Sequence, residues 1–183
     1  MLEDTLLLII DVQDKLLNII PEKEKLLSNI VLLAEYYKGM NLPTIATRQV
    51  KLGEITSTIK EIIGDKPVYE KKYFSIMKEE EIRKKIEETG KTTIVLTGIE
   101  THICILQSAI DLLNESYNVI IPYDAVASQI HEDHVYALRF LEKNGALILP
   151  TETLIYASMQ TPEHPLFKKM LGLVKERRRK YMA

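Results

Sequence analysis

The sequence predicts an α/β fold: a three-layer α/β/α sandwich around a six-stranded parallel sheet, Rossmann-like in outline. Two observations predict it. Short apolar runs alternate with longer amphipathic segments, the order expected when helices separate strands. The runs are almost continuously hydrophobic rather than alternating, so both sheet faces are covered.

Taken in order, Leu6 to Ile10 reads as a buried strand ending at Asp11. Lys23 to Lys38 carries Leu26, Leu27, Ile30, Val31, Leu33 and Ala34 at a helical period, with Gly39 placed as its C-cap. Pro43 to Thr47 is a second strand and Pro67 to Glu70 a weaker third. Glu79 to Glu88 is a charged amphipathic helix closed by Gly90, and Thr92 to Leu96 is a central strand. Cys104 to Asn114 is helical, with Ile105, Ala109, Leu112 and Leu113 on its buried side. Tyr117 to Ile121 is strand five, His131 to Lys143 a helix stopped by Gly145, and Ala146 to Leu149 strand six. With no internal repeat and no Pro/Gly-rich linker, residues 1–183 read as a single domain with a C-terminal helical extension from about Leu154.

Composition removes several classes of function. Net charge is −2, which leaves no electrostatic footprint for nucleic acid. One cysteine excludes an internal disulfide, a zinc ribbon and a CxxC pair, and suits a reducing cytoplasm. The apolar run at Leu6 is interrupted by Asp11 and follows no basic region, so no secretory leader is expected, and no run is long enough for a membrane span. A cytoplasmic protein without nucleic-acid or membrane partners is the expectation.

Parallel sheets place their sites beyond the carboxyl ends of the strands. The polar residues there are Asp11, Thr47-Arg48-Gln49, Lys71, the segment Gly98 to Cys104, and Asp124. With Thr101 as N-cap, Cys104 falls in the first turn of its helix, where free backbone N–H groups and the positive helix end favour a thiolate and an oxyanion. Read blandly, it is a small buried hydrophobe. Asp11 is either the N-cap of a helix starting at Val12 or a base that takes the thiol proton. Lys71 and Lys72 are either solvated or present one ammonium to the cleft; adjacent strand residues point opposite ways, so only one can.

Three blocks carry a resemblance: Ile10-Asp11-Val12-Gln13, Lys71-Lys72-Tyr73-Phe74-Ser75, and Gly98-Ile99-Glu100-Thr101-His102-Ile103-Cys104. In order and spacing they are similar to the motifs of the isochorismatase-like cysteine hydrolases. The likeness continues through Gln107 to Asp111, Asp124-Ala125-Val126 and Gly145-Ala146. Thr47-Arg48-Gln49 with Lys51-Leu52-Gly53, and His164-Pro165 with Phe167, resemble the isochorismatase-domain-containing subgroup. The resemblance implies an Asp11–Lys71–Cys104 triad, Lys71 being preferred because it precedes Phe74-Ser75 by the family's spacing. It also implies a cis peptide at Ile99–Glu100, an oxyanion hole from the Glu100 and Cys104 N–H groups, and a homo-oligomer.

The nicotinamidase branch has an Asp-x-His metal pair after strand two. This chain has Gln49-Val50-Lys51 there and no His before His102, so neither metal nor cofactor is expected. Cys104 favours small amide or ester hydrolysis; a vinyl ether hydrolase, or a redox-sensing or interaction module, are the alternatives. The substrate, a small molecule, is expected to meet Gln13, Arg48, Gln49 and Tyr73, with Arg48 pairing a carboxylate. His131 and His134, three apart, read as a solvated helix start, and Arg177-Arg178-Arg179-Lys180 as a solvated helix end.

Overall fold

Six residues from Thr5 to Ile10 form β1, and every one is buried. Neighbouring side chains enter different cores: Leu7 and Ile9 join one cluster, Leu6, Leu8 and Ile10 the other. A strand walled by apolar atoms on both sides has to be continuous in hydrophobicity, which is why its sequence does not alternate. The structure, a computed structural model, describes residues 1–181.

The remaining elements are α1 (Asp14–Leu17), α2 (Lys23–Gly39), β2 (Thr44–Gln49), α3 (Ser57–Ile63), β3 (Val68–Lys71), α4 (Glu80–Glu88), β4 (Thr93–Ile99), α5 (Leu106–Asn114), β5 (Asn118–Pro122), β6 (Val126–Ala127), α6 (His131–Lys143), β7 (Leu147–Leu149), α7 (Thr151–Met159) and α8 (Phe167–Tyr181). The sheet runs β3-β2-β1-β4-β5-β7 with all pairs parallel. It has seven strands rather than the expected six: β6 pairs β4 through Gly98↔Val126 and Ile99↔Ala127. Two residues are too few to register as an apolar run.

The chain builds outward from β1 to β3 on one side, then from β4 to β7 on the other. The β1/β4 boundary is therefore the switch point, where diverging connections open a crevice at the strands' carboxyl ends. Gly98 lets β4 meet β1 there. Its φ is +123°, and a Cβ would stand 1.9 Å from the Ile10 carbonyl oxygen.

Other boundaries moved for identifiable reasons. Gly39 is the last residue of α2, not its cap; Met40 caps, and Asn41 takes the left-handed conformation. A Cβ on Gly39 would lie 2.7 Å from Leu166 Cδ1, so this glycine admits the segment leading into α8. The C-terminal extension docks on its own domain, with Met170 and Val174 buried in the core that contains α2. Arg177 is not solvated: its guanidinium binds Glu152 at 2.7 Å and the Asn29 side chain, pinning α8 to α7 and α2. Those partners are remote in sequence, so the basic run gave no hint of them. Arg178 also meets Glu152, and Arg179 is exposed. The Lys180 side chain lies outside the described residues, as do positions 182 and 183 of the predicted domain.

Candidate active site

Asp11 follows β1 directly. Its N–H donates to Thr47 O at 3.2 Å and its carbonyl accepts from Gln13 N at 2.8 Å. Its φ is +55°, a conformation that Asp adopts more readily than most residues. Asp11 is therefore no N-cap; α1 begins at Asp14 with Gln13 before it. The carboxylate is fully buried. Oδ1 accepts from Thr47 Oγ1 at 2.9 Å, and Oδ2 faces Lys71 Nζ at 2.7 Å.

Lys71 ends β3 and is fully buried despite its charge. Besides Asp11, its Nζ reaches Gln49 Oε1 at 2.6 Å, the carbonyls of Tyr73 and Phe74 at 3.2 Å each, and Cys104 Sγ at 3.4 Å. Lys72 points away and is exposed, its ammonium 5.2 Å from the Tyr73 ring centre. The alternation of strand side chains thus selects Lys71.

Cys104 is 7% exposed. It sits in a π-helical turn, Thr101–Ile105, that joins β4 to α5. The N-cap is Glu100 rather than Thr101, which makes Cys104 the fourth helical residue, still in the first turn. The Ile99–Glu100 peptide is cis. The Glu100 carbonyl accepts from Ile103 N and Ile105 N, and its carboxylate accepts from Gln129 N at 2.8 Å.

Burial pushes the Cys104 thiol up to about 12, and the Asp11 carboxylate pushes the same way against Lys71. This departs from the expectation of a thiolate: loss of water and a neighbouring anion outweigh the ammonium. Burial also raises Asp11, against the opposing pull of Lys71. At neutral pH the resting proton is on sulfur. A carboxyl raised above its ordinary range is a better acceptor for that proton than a solvated one.

The expected substrate contacts divide. Gln13 is fully buried and its amide is fully used: Nε2 donates to Gly53 O at 2.6 Å and Gln49 O at 3.1 Å, and Oε1 accepts from Gln49 N at 2.8 Å. Gln49 donates to Lys72 O at 3.0 Å and accepts from Lys71. Arg48 does not offer a free guanidinium; it pairs with Glu54 and, at 3.2 Å, with Glu70. Thr47 and Gln49 face Asp11 and Lys71, so the residue between them on the strand faces the other way. Tyr73 is 49% exposed and, with Phe74, Leu106, Ile110 and Phe140, lines an open groove of about 660 Å³. Cys104 does not line it, although Tyr73 and Phe74 serve both places.

Thr47 stood among the strand-end polar residues without a role; the structure gives it one, since its register opposite Ile10 brings its hydroxyl to the Asp11 carboxylate. His102 and His134 brace the cysteine turn: His102 Nδ1 lies 2.9 Å from Ser128 Oγ, and His134 Nδ1 2.9 Å from Thr101 Oγ1. His134 is therefore partly packed, not a solvated helix start. Among the described residues no group of three His, Cys, Asp or Glu side chains is placed to hold a metal.

Comparison with known proteins identifies the class. The family model for the isochorismatase domain matches residues 5–153. Isochorismatase family protein 2A of Dictyostelium discoideum is 31% identical over 94% of this chain and 91% of its own. Among solved structures, one described as the MAR1 ribonuclease from Caenorhabditis elegans is 29% identical, covering 94% of this chain and 90% of that one, with a TM-score of 0.86. The Escherichia coli YcaC gene product, described as an octameric hydrolase of unknown specificity, superposes with a TM-score of 0.89 at 20% identity, over 98% and 93% of the two chains. Fold and relatives together define a parallel α/β hydrolase. The chain belongs to the isochorismatase family.

Proposed function

We propose that this hydrolase cleaves the C–N bond of a small amide, or the C–O bond of an ester, through a thioester on Cys104. The observation that carries the reading is one contact chain: Asp11 to Lys71 at 2.7 Å and Lys71 to Cys104 at 3.4 Å, all three side chains buried. Asp11 accepts the thiol proton as sulfur attacks the carbonyl. The Glu100 and Cys104 N–H groups hold the oxyanion. Asp11 then protonates the departing amine. Water, deprotonated by Asp11, cleaves the thioester, and the proton returns to sulfur. Lys71 offsets the negative charge that moves between carboxylate, sulfur and oxyanion. Throughout, no net charge is created in a buried site, which is what makes the proton shuttle economical.

Vinyl ether hydrolysis would need the acid but not the thiol, and the sulfur's contact with Lys71 supports thiol chemistry. A redox sensor needs a depressed thiol; burial drives Cys104 the other way. RNA as substrate is disfavoured by a net charge of −2. The working compartment proposed is the cytoplasm, where one unpaired cysteine stays reduced, and the domain proposed spans residues 1–183. No described helix is long and apolar enough to cross a membrane.

The test is a screen of purified protein against small amides, read by amine or ammonia release, with intact-mass detection of an acyl adduct. A substrate turned over through an adduct on Cys104 is expected. Turnover with no adduct, unaffected by blocking the thiol, would overturn the reading.

The same reading includes a homo-oligomer. Tyr73, Phe74 and Phe140 are each about half exposed around the groove, an apolar face for which a second copy is the proposed cover. Phe140→Glu should lower the mass seen by light scattering to that of a smaller assembly. An unchanged mass removes this face from the interface.

A further inference from the structure

We infer that Gln49 is a positioning residue that aims the Lys71 ammonium, and not a substrate contact. The inference rests on the Lys71–Cys104 pairing of the proposed mechanism and concerns what fixes it.

An ammonium has three protons in a tetrahedral fan. Lys71 Nζ has five acceptors within 3.4 Å: Gln49 Oε1, Asp11 Oδ2, the Tyr73 and Phe74 carbonyls, and Cys104 Sγ. The two nearest, at 2.6 and 2.7 Å, are Gln49 and Asp11. They take two protons and so set the axis about which the third is shared among sulfur and the two carbonyls. Gln49 Oε1 is the only side-chain acceptor of the set that carries no charge and does not react.

Gln49 is itself held on every polar side. Its Nε2 donates to Lys72 O at 3.0 Å, which fixes the amide orientation. Its N–H and carbonyl are clamped by the Gln13 amide at 2.8 and 3.1 Å. Gln49 and Lys71 are register partners across β2 and β3. A chain of fixed contacts therefore runs from buried Gln13 through Gln49 to Lys71. A residue with both ends of its amide committed is poorly suited to bind substrate, and well suited to aim a neighbour.

The experiment is alkylation of Cys104 by iodoacetamide as a function of pH, in wild type, Gln49→Glu, Gln49→Met and Lys71→Met, with thermal melts to confirm folding. A new carboxylate at position 49 draws the ammonium and adds negative charge near sulfur. Gln49→Glu should then slow alkylation at a fixed pH below the thiol's pKa by about tenfold, one pKa unit. Gln49→Met keeps the volume but removes the acceptor; its rate should depart from wild type by at least about threefold. A substrate contact alone would leave reaction with a small neutral reagent unchanged. If Lys71→Met shifts the profile and both folded Gln49 variants match wild type, the positioning role is wrong. If Lys71→Met also matches wild type, it is the triad reading that fails.

Discussion

Replacing Asp11 by Asn is expected to make Cys104 react faster with iodoacetamide while ending turnover. The Asp11 carboxylate is one of the forces that hold the thiol near 12, second only to burial. Without it, the Lys71 ammonium at 3.4 Å is the nearest charge to sulfur, and it favours the thiolate. Alkylation at pH 8 should rise by about tenfold or more, since one pKa unit is a factor of ten. Hydrolysis should fall by about 100–10,000-fold, the contribution of a positioned acid–base. Stability reads the same rearrangement. Removing one partner of a buried ion pair costs about 3–5 kcal/mol when the remaining charge is stranded. Here the thiolate can replace the lost carboxylate, so the loss in urea melts should be smaller above the shifted thiol pKa than below it. A variant with wild-type alkylation and wild-type turnover would take Asp11 out of the mechanism.

Cys104→Ala is expected to abolish turnover altogether and to flatten the alkaline side of the stability profile. The folded thiol is pushed from its ordinary 9.0 up to about 12, so the unfolded chain releases the proton first. A folded pKa above the unfolded one contributes stability that is present below pH 9 and lost as pH rises toward 12. At pH 10 that loss is about 1.4 kcal/mol relative to neutral, for a single proton one unit above the unfolded value. Urea denaturation of both proteins at pH 7 and 10 measures it: wild type should lose more than Cys104→Ala by about that amount. Equal losses would mean that the sulfur is not desolvated, and with it would go the account of why the resting site holds a thiol.

Much of the frame was readable because its cause is local. β1 and β4 are buried almost throughout, and strands buried on both sides of a sheet read as nearly continuous apolar runs. Glycines 90 and 145 close their helices in left-handed conformations that other residues resist. The members of the proposed triad were readable as residue types near strand ends, and their roles only through the family resemblance. Two elements escaped: β6, of two residues, and α3, of seven, are too short for a period to show. Gly39 was assigned to the wrong task because the side chain it accommodates, Leu166, arrives from far along the chain.

The acid, the amine and the sulfur of the proposed triad were named by the resemblance of three motif blocks; what the sequence by itself determined is the layered parallel sheet. Composition and period act over neighbouring residues, and those properties need nothing more. Only the tertiary structure decided which groups were already spent and which way the sulfur's proton equilibrium leans. Arg48 is paired with glutamates, Gln13 and Gln49 are locked to backbone and to Lys71, and Arg177 is tied to α7 and α2. Each is a contact between segments distant in the chain, as are the contacts of Cys104 with Asp11 and Lys71. Desolvation is a property of what surrounds an atom, and no stretch of residues around position 104 contains that information.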